Sequence, residues 1–172
     1  MSAKGHIIAI GGGGFGRNPK NPIIEDYIVQ LSSSKIPKIA FFPTASAENK
    51  DYVVNFYKAF SKLNCNPEYI SLFQNTPDLN SIVESSDIIY IGGGNTKSML
   101  AVFREWNLDQ ILLKAYSEGK ILCGVSAGAI CWFEKGITDS WEGKLRVMDC
   151  LNFLPGVCCP HYDGEEKRRP AV

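Results

Sequence analysis

Four short apolar runs punctuate the chain, and each closes in glycine, proline or serine. H-I-I-A-I at 6–10 runs into Gly11-Gly12-Gly13-Gly14, and K-I-A-F-F-P-T-A fills 38–45. D-I-I-Y-I-G-G-G-N-T spans 87–96 and K-I-L-C-G-V-S-A-G-A spans 120–129. Their apolarity is continuous rather than alternating, which predicts strands covered on both faces, as in a parallel sheet. Between them the apolar positions fall three and four apart, predicting helices over 22–33, 49–63 and 97–117. A shorter strand is expected in E-Y-I-S-L-F at 68–73, followed by a weaker helical segment at 78–85. Strand and helix alternate through five rounds, so the predicted fold is an α/β three-layer sandwich with a mostly parallel central sheet and right-handed crossovers. No repeat, low-complexity segment or linker interrupts residues 1–172, and this length suits one domain.

In such sheets the chemistry sits beyond the carboxyl ends of the strands. Those ends carry the most unusual local sequences here: the glycine run at 11–14, Pro43-Thr44-Ala45-Ser46, Gly92-Gly93-Gly94-Asn95-Thr96 and Gly124-Val125-Ser126. Gly11, Gly13 and Gly16 have the spacing of a dinucleotide fingerprint, which also needs a helix at once and an acidic residue about 20 positions on. Asn18-Pro19-Lys20-Asn21-Pro22 follows instead, and the second strand ends without a carboxylate. A G-x-x-x-x-G-K-[ST] phosphate loop is absent, so neither nucleotide nor cofactor binding is expected.

Gly92-Gly93-Gly94 lets the backbone come close to a ligand and turn N–H groups toward an anion, with Asn95 or Thr96 capping the next helix. Ser126 has Gly124 and Gly128 two residues to either side, with Ala127 directly after it. That is the layout of a nucleophile elbow, in which small flanks allow a strained strand-to-helix turn to expose Oγ. An oxyanion hole would then combine the Ala127 N–H with one from Gly93 or Gly94. The serine needs a base. His161, in C-C-P-H-Y-D-G, is the downstream candidate, because His6 opens the first strand at the opposite end.

Composition narrows the picture further. Eighteen Lys and Arg balance 18 Asp and Glu, so no net charge draws the chain to nucleic acid or a membrane. The apolar run after M-S-A-K-G-H is too short for a signal peptide core or a spanning helix, and a cytoplasmic protein is expected. Six cysteines contain no C-x-x-C pair and stand beside two histidines, which predicts reduced thiols and no metal site.

Taken together, G-G-G-N-T, G-V-S-A-G-A after a strand, and P-H-Y resemble the peptidase E family of serine peptidases, from the first strand to about Pro170. The resemblance implies a class I glutamine amidotransferase-like (flavodoxin-like) fold and an aspartyl dipeptidase activity that removes an N-terminal aspartate from a small peptide. It implies Ser126 as nucleophile, His161 as base and Gly93 and Gly94 as the frame of the oxyanion hole, with no cofactor. For the third triad member it points to Asp139, in G-I-T-D-S-W, although two residues nearer the serine than in the family. Glu134 is the alternative, at a helical distance of about 12 Å along the axis from the elbow. Asn95 and Thr96 are expected at the substrate, and Arg168 or Arg169 as the bidentate clamp for a substrate carboxylate. Family members continue with another strand and helix where this sequence stops, at Pro170-Ala171-Val172. The shorter end is expected to weaken activity and to leave a sheet edge suited to a homodimer. A non-catalytic binding protein and a hydrolase of larger acidic polymers remain the alternatives. Serine at the elbow disfavours the thiol mechanism of amidotransferase-like enzymes.

Overall fold

The computed structural model describes residues 5–15, 21–75, 77–142 and 144–171. Gly16, Asn18, Pro19 and Lys20 of the fingerprint reading, and Val172, lie outside them. The central sheet is all parallel, in the order β1-β5-β4-β2-β3: β1 (His6–Ile10), β2 (Lys38–Phe42), β3 (Asn66–Tyr69), β4 (Ile88–Ile91) and β5 (Ile121–Val125). The helices between them are α1 (Ile23–Gln30), α2 (Lys50–Phe60), α3 (Leu79–Ser85), α4 (Thr96–Glu105) and α5 (Leu108–Ser117).

Alternation across the pleat explains the continuous apolar runs. Ile39, Phe41, Ile88, Tyr90, Ile121 and Cys123 face one core with Ile28, Phe56 and Phe60 of α1 and α2. Their neighbours Ala40, Phe42, Ile89, Ile91 and Leu122 face the other, with Met99, Leu100, Phe103 and Leu112 of α4 and α5. A strand with both faces covered has no position for a polar side chain. Side-chain caps start three of the helices: Asn49 accepts from the Tyr52 N–H, Asp78 from Ser81 and Asn95 from Ser98. The helix expected over 97–117 is two, broken at Asn107, which takes a left-handed backbone with φ of 53°. The strand expected at 68–73 forms earlier and ends at Tyr69.

The chain beyond β5 departs most from expectation. Helix α6 (Ala127–Ile130) has a single turn, after which Cys131 and Trp132 plunge into the core. A second, three-stranded sheet follows, β6 (Phe133–Thr138) flanked by antiparallel β7 (Arg146–Asp149) and parallel β8 (Leu154–Cys158). It packs onto the α4–α5 side through Trp132, Cys150, Phe153 and Leu154. Its last strand returns the chain to the carboxyl edge of the main sheet, where the His161 N–H donates to the Gly11 carbonyl at 2.7 Å. Among the described residues no helix is long and apolar enough to cross a membrane.

α6 can sit on the sheet only because Gly128 has no side chain: a Cβ there would lie 2.1 Å from the Ile91 carbonyl oxygen. Gly128→Ala is therefore expected to cost about 3 kcal/mol, the upper end of overpacking, and to lower the melting temperature by roughly 6–12 °C. A melt within a degree of the parent's would show that α6 relaxes away from β4 freely.

Candidate active site

Ser126 stands between β5 and α6 with φ of 54° and ψ of −108°, a backbone conformation that costs a non-glycine residue about 1–3 kcal/mol. The turn holds Oγ 2.8 Å from Nε2 of His161. With the imidazole proton on Nδ1, the hydroxyl donates to Nε2, the arrangement a general base requires. Both residues hang from adjacent carbonyls at the end of β1. The Ser126 N–H donates to Ile10 at 2.9 Å and the His161 N–H to Gly11 at 2.7 Å. His161 itself has a φ of 57°. Its ring lies over the glycine run, where a Cβ on Gly12 would come within 2.8 Å of Nδ1. An open cleft of about 410 Å³ adjoins the ring, between Gly11–Gly13 and the turn Tyr162–Gly164.

The second glycine run abuts the elbow: a Cβ on Gly93 would stand 3.4 Å from Cβ of Ser126. Its donors are not equivalent. The Gly93 N–H, one of the expected oxyanion donors, already donates to the Tyr52 hydroxyl at 3.1 Å. Burial pushes the Tyr52 phenol above its usual pKa, the Gly93 N–H offsetting part of this, so the bond persists throughout the neutral range. Of the expected oxyanion donors this leaves as candidates Gly94, with φ of 140°, and Ala127, at the first position of α6, where N–H groups lack intrahelical partners.

The other candidates are redistributed. Glu134 is on strand β6, not on a helix, and its carboxylate receives the Gly156 N–H at 3.5 Å. Burial of Cys131 and Trp132 ends α6 before a second turn can carry Glu134 along it. Asp139 faces Arg168, Oδ2 lying 3.4 Å from Nη2. The carboxylate brought to His161 is Glu165, whose Oε1 lies 4.0 Å from Nδ1, a span that one water or a small rotation closes. Asn95 spends its side chain on the Ser98 N–H and the Ser140 carbonyl, and Thr96 is buried against Thr138, so both brace the turn rather than face a substrate. Arg168 is buried with its donors engaged by protein, and Arg169 is exposed, paired with Asp163 and stacked on Tyr162. Neither presents the open guanidinium expected of a clamp.

Sequence reasoning read Glu165, with Asp163 and Glu166, as an acid for a free amino terminus or for solvent and gave it no place in the triad, and it marked neither Tyr52 nor Gly12 as a site residue. Glu165 was legible as the residue four positions after the histidine; Tyr52 was absorbed into the apolar face of α2 and gave no further signal. Among the described residues no group of three or more His, Cys, Asp or Glu is placed to hold a metal. Burial raises all six thiols, Cys150 to about 11, so none is a ready thiolate at neutral pH.

A family model described as peptidase family S51 matches residues 7–172. The chain is 50% identical over 166 residues to the uncharacterized peptidase YgaJ of Bacillus subtilis (strain 168), spanning 96% of this chain and 72% of that protein. It is 27% identical over 145 residues to peptidase E of Pasteurella multocida (strain Pm70), spanning 82% of this chain and 59% of that protein. Among solved structures, a peptidase from an acI-B1 Actinobacterium superposes with a TM-score of 0.74 over 93% of this chain and 69% of that one. At 16% identity this likeness speaks for the fold alone.

The Gly12 contact separates ring placement from general loop damage. Gly12→Ala is expected to slow modification of the chain by a serine-directed fluorophosphonate at least about tenfold, because the Cβ displaces the His161 ring. Gly11→Ala, whose Cβ meets nothing closer than 4.0 Å, is expected to react like the parent. Equal rates for the two variants would mean that the ring does not need its seat on Gly12.

Proposed function

The chain belongs to peptidase family S51, and we propose that it is a serine peptidase that hydrolyses short peptides, removing an N-terminal aspartate. The observation that carries this reading is the 2.8 Å contact between Ser126 Oγ and His161 Nε2 at a strained elbow. A serine held this way beside an imidazole has no packing purpose that a glycine would not serve at lower strain.

In the proposed cycle His161 Nε2 takes the hydroxyl proton as Ser126 Oγ attacks the scissile carbonyl. The N–H groups of Ala127 and Gly94 receive the oxyanion, while Gly93, held by Tyr52, fixes the loop that presents Gly94. The imidazolium then protonates the departing amine, and a water activated by the same nitrogen releases the acyl group and restores the serine. Glu165 is the carboxylate that orients His161 and balances its transient charge. It takes the place expected for Asp139 or Glu134, both of which have other partners.

The preference for an acidic residue rests on the family and on two cations. With Arg168 engaged, Lys144 and Lys167 are the positive groups lining a cleft of about 430 Å³ beside Glu165 and Asp139. Hydrolysis of a wider range of acidic peptides uses the same machinery and differs only in what this cleft admits.

Release of free aspartate from Asp-Leu by the parent chain is expected to fall at least about 10³-fold in Ser126→Ala. No release by folded parent protein above that variant would remove the dipeptidase assignment. Iodoacetamide at neutral pH is expected to leave activity intact, since every thiol is protonated there. Inactivation by it in step with alkylation of Cys123 or Cys131 would overturn the serine mechanism.

A further inference from the structure

A buried guanidinium is an expensive object. It stays ionised, so it must be matched by carboxylates or carbonyls in protein. The Arg168 side chain is 3% exposed, and each of its nitrogens is matched. Nε donates to Glu165 Oε2 at 2.7 Å, Nη1 to the Ile137 carbonyl at 3.2 Å, and Nη2 lies 3.4 Å from Asp139 Oδ2. A substrate clamp needs two free parallel donors facing solvent. Arg168 has instead turned its fork inward, to the end of β6.

Its strongest contact is with the carboxylate that faces the base. Oε2 of Glu165 is held by Arg168, and Oε1 looks toward His161 Nδ1 at 4.0 Å. The backbone joins the three residues in consecutive turns: the Glu165 N–H donates to the His161 carbonyl and the Arg168 N–H to that of Glu165. The Glu165 side chain is otherwise 47% exposed, and a glutamate so open to water has ample rotamer freedom to leave the histidine.

We propose that Arg168 is a positioning residue for the Ser126–His161 pair: anchored at the end of β6 by Ile137 and Asp139, it grips one oxygen of Glu165 so that the other faces His161. This rests on the reading of Ser126 as a nucleophile activated by His161. It assigns Arg168 to the base side of the reaction and removes it from substrate recognition. Asp139 becomes the second counter-charge of the guanidinium, acting at one further remove.

The test is a double-mutant cycle on the full chain with Glu165→Gln, Arg168→Met and their combination. It is read by the rate of labelling with a small, uncharged dye-linked fluorophosphonate and by kcat and KM on Asp-Leu. Each single variant is expected to slow labelling on the order of 10- to 100-fold, with kcat falling and KM held. The double variant is expected to be no slower than the slower single, because both remove the same aimed carboxylate. Multiplying effects would overturn the proposal. So would an Arg168→Met variant that labels like the parent and raises KM for the acidic dipeptide, the behaviour of a clamp. A general loss of structure would slow the double variant beyond the singles and lower its melting temperature, which is measured alongside. Where Arg168→Met does not fold, Arg168→Lys, which keeps the charge but cannot reach three partners at once, takes its place under the same criteria. Labelling of the parent no faster than of Ser126→Ala would overturn the nucleophile reading and this proposal with it. Loss of labelling in Ser126→Ala but not in Arg168→Met would overturn this proposal alone.

Discussion

The bent backbone at Ser126 is the constraint to which the rest of the site is fitted. A serine with positive φ persists only where its surroundings leave no alternative. Here the N–H is held by Ile10, and the carbonyl receives the N–H groups of Ala129 and Ile130. Gly124 and Gly128 allow strand, turn and helix to close on the Ile91 carbonyl: a Cβ on either would fall inside 2.9 Å of that oxygen. The strain is thus borne where β5 and β4 lie in register and fully buried, with the edge strand β1 paired to the other side of β5. From that fixed point the other parts follow at contact distance, with Gly93 against the serine Cβ and the histidine across its Oγ.

The aromatic core reaches this site through Tyr52. Tyr52 stacks on Phe15 at 5.0 Å and meets Phe41 edge-on, yet its hydroxyl emerges under the Gly93 N–H. One end of the residue is packed and the other polar, a use to which tyrosine is suited. The rigidity of the α2 face is thereby passed to the loop that presents Gly94.

Much of this was legible in the chain and some of it was not, for physical reasons. Strands β2, β4 and β5 were legible because a two-sided burial leaves a continuous apolar run, whereas the equally apolar β1 forms an edge strand of which only Ile10 is buried. The elbow was legible because glycines at both flanks and a small residue after the serine are steric requirements written locally. The short α6 and the second sheet were hidden, because C-W-F-E reads equally well as a helix continuing or as a chain diving into a core. Only the room for Trp132 between α5 and the second sheet decides it. The partners of the carboxylates were hidden for another reason. The run from Asp163 to Arg169 holds three acids and three bases, and spacing alone cannot say which pairs close. Arg168 pairs with Glu165 three residues before it and with Asp139 far back in the chain. An arginine that looked free for a substrate was therefore already committed, and the position that looked like the triad acid was one of its partners.

The two carbonyls of Ile10 and Gly11 have a consequence for how such a molecule comes into being. They lie near the start of the chain, and the groups they fix arrive far apart in order of synthesis, Ser126 first and His161 close to the end of the described residues. A chain made from its N-terminus exposes β1 to β5 and the elbow serine ahead of the histidine, which follows 35 residues later. The hydroxyl is then present without the base that would make it reactive. Closing that span is a non-local step, and it is the one that brings His161 to the serine. Under the proposed mechanism, a chain still short of His161 holds its serine without a base.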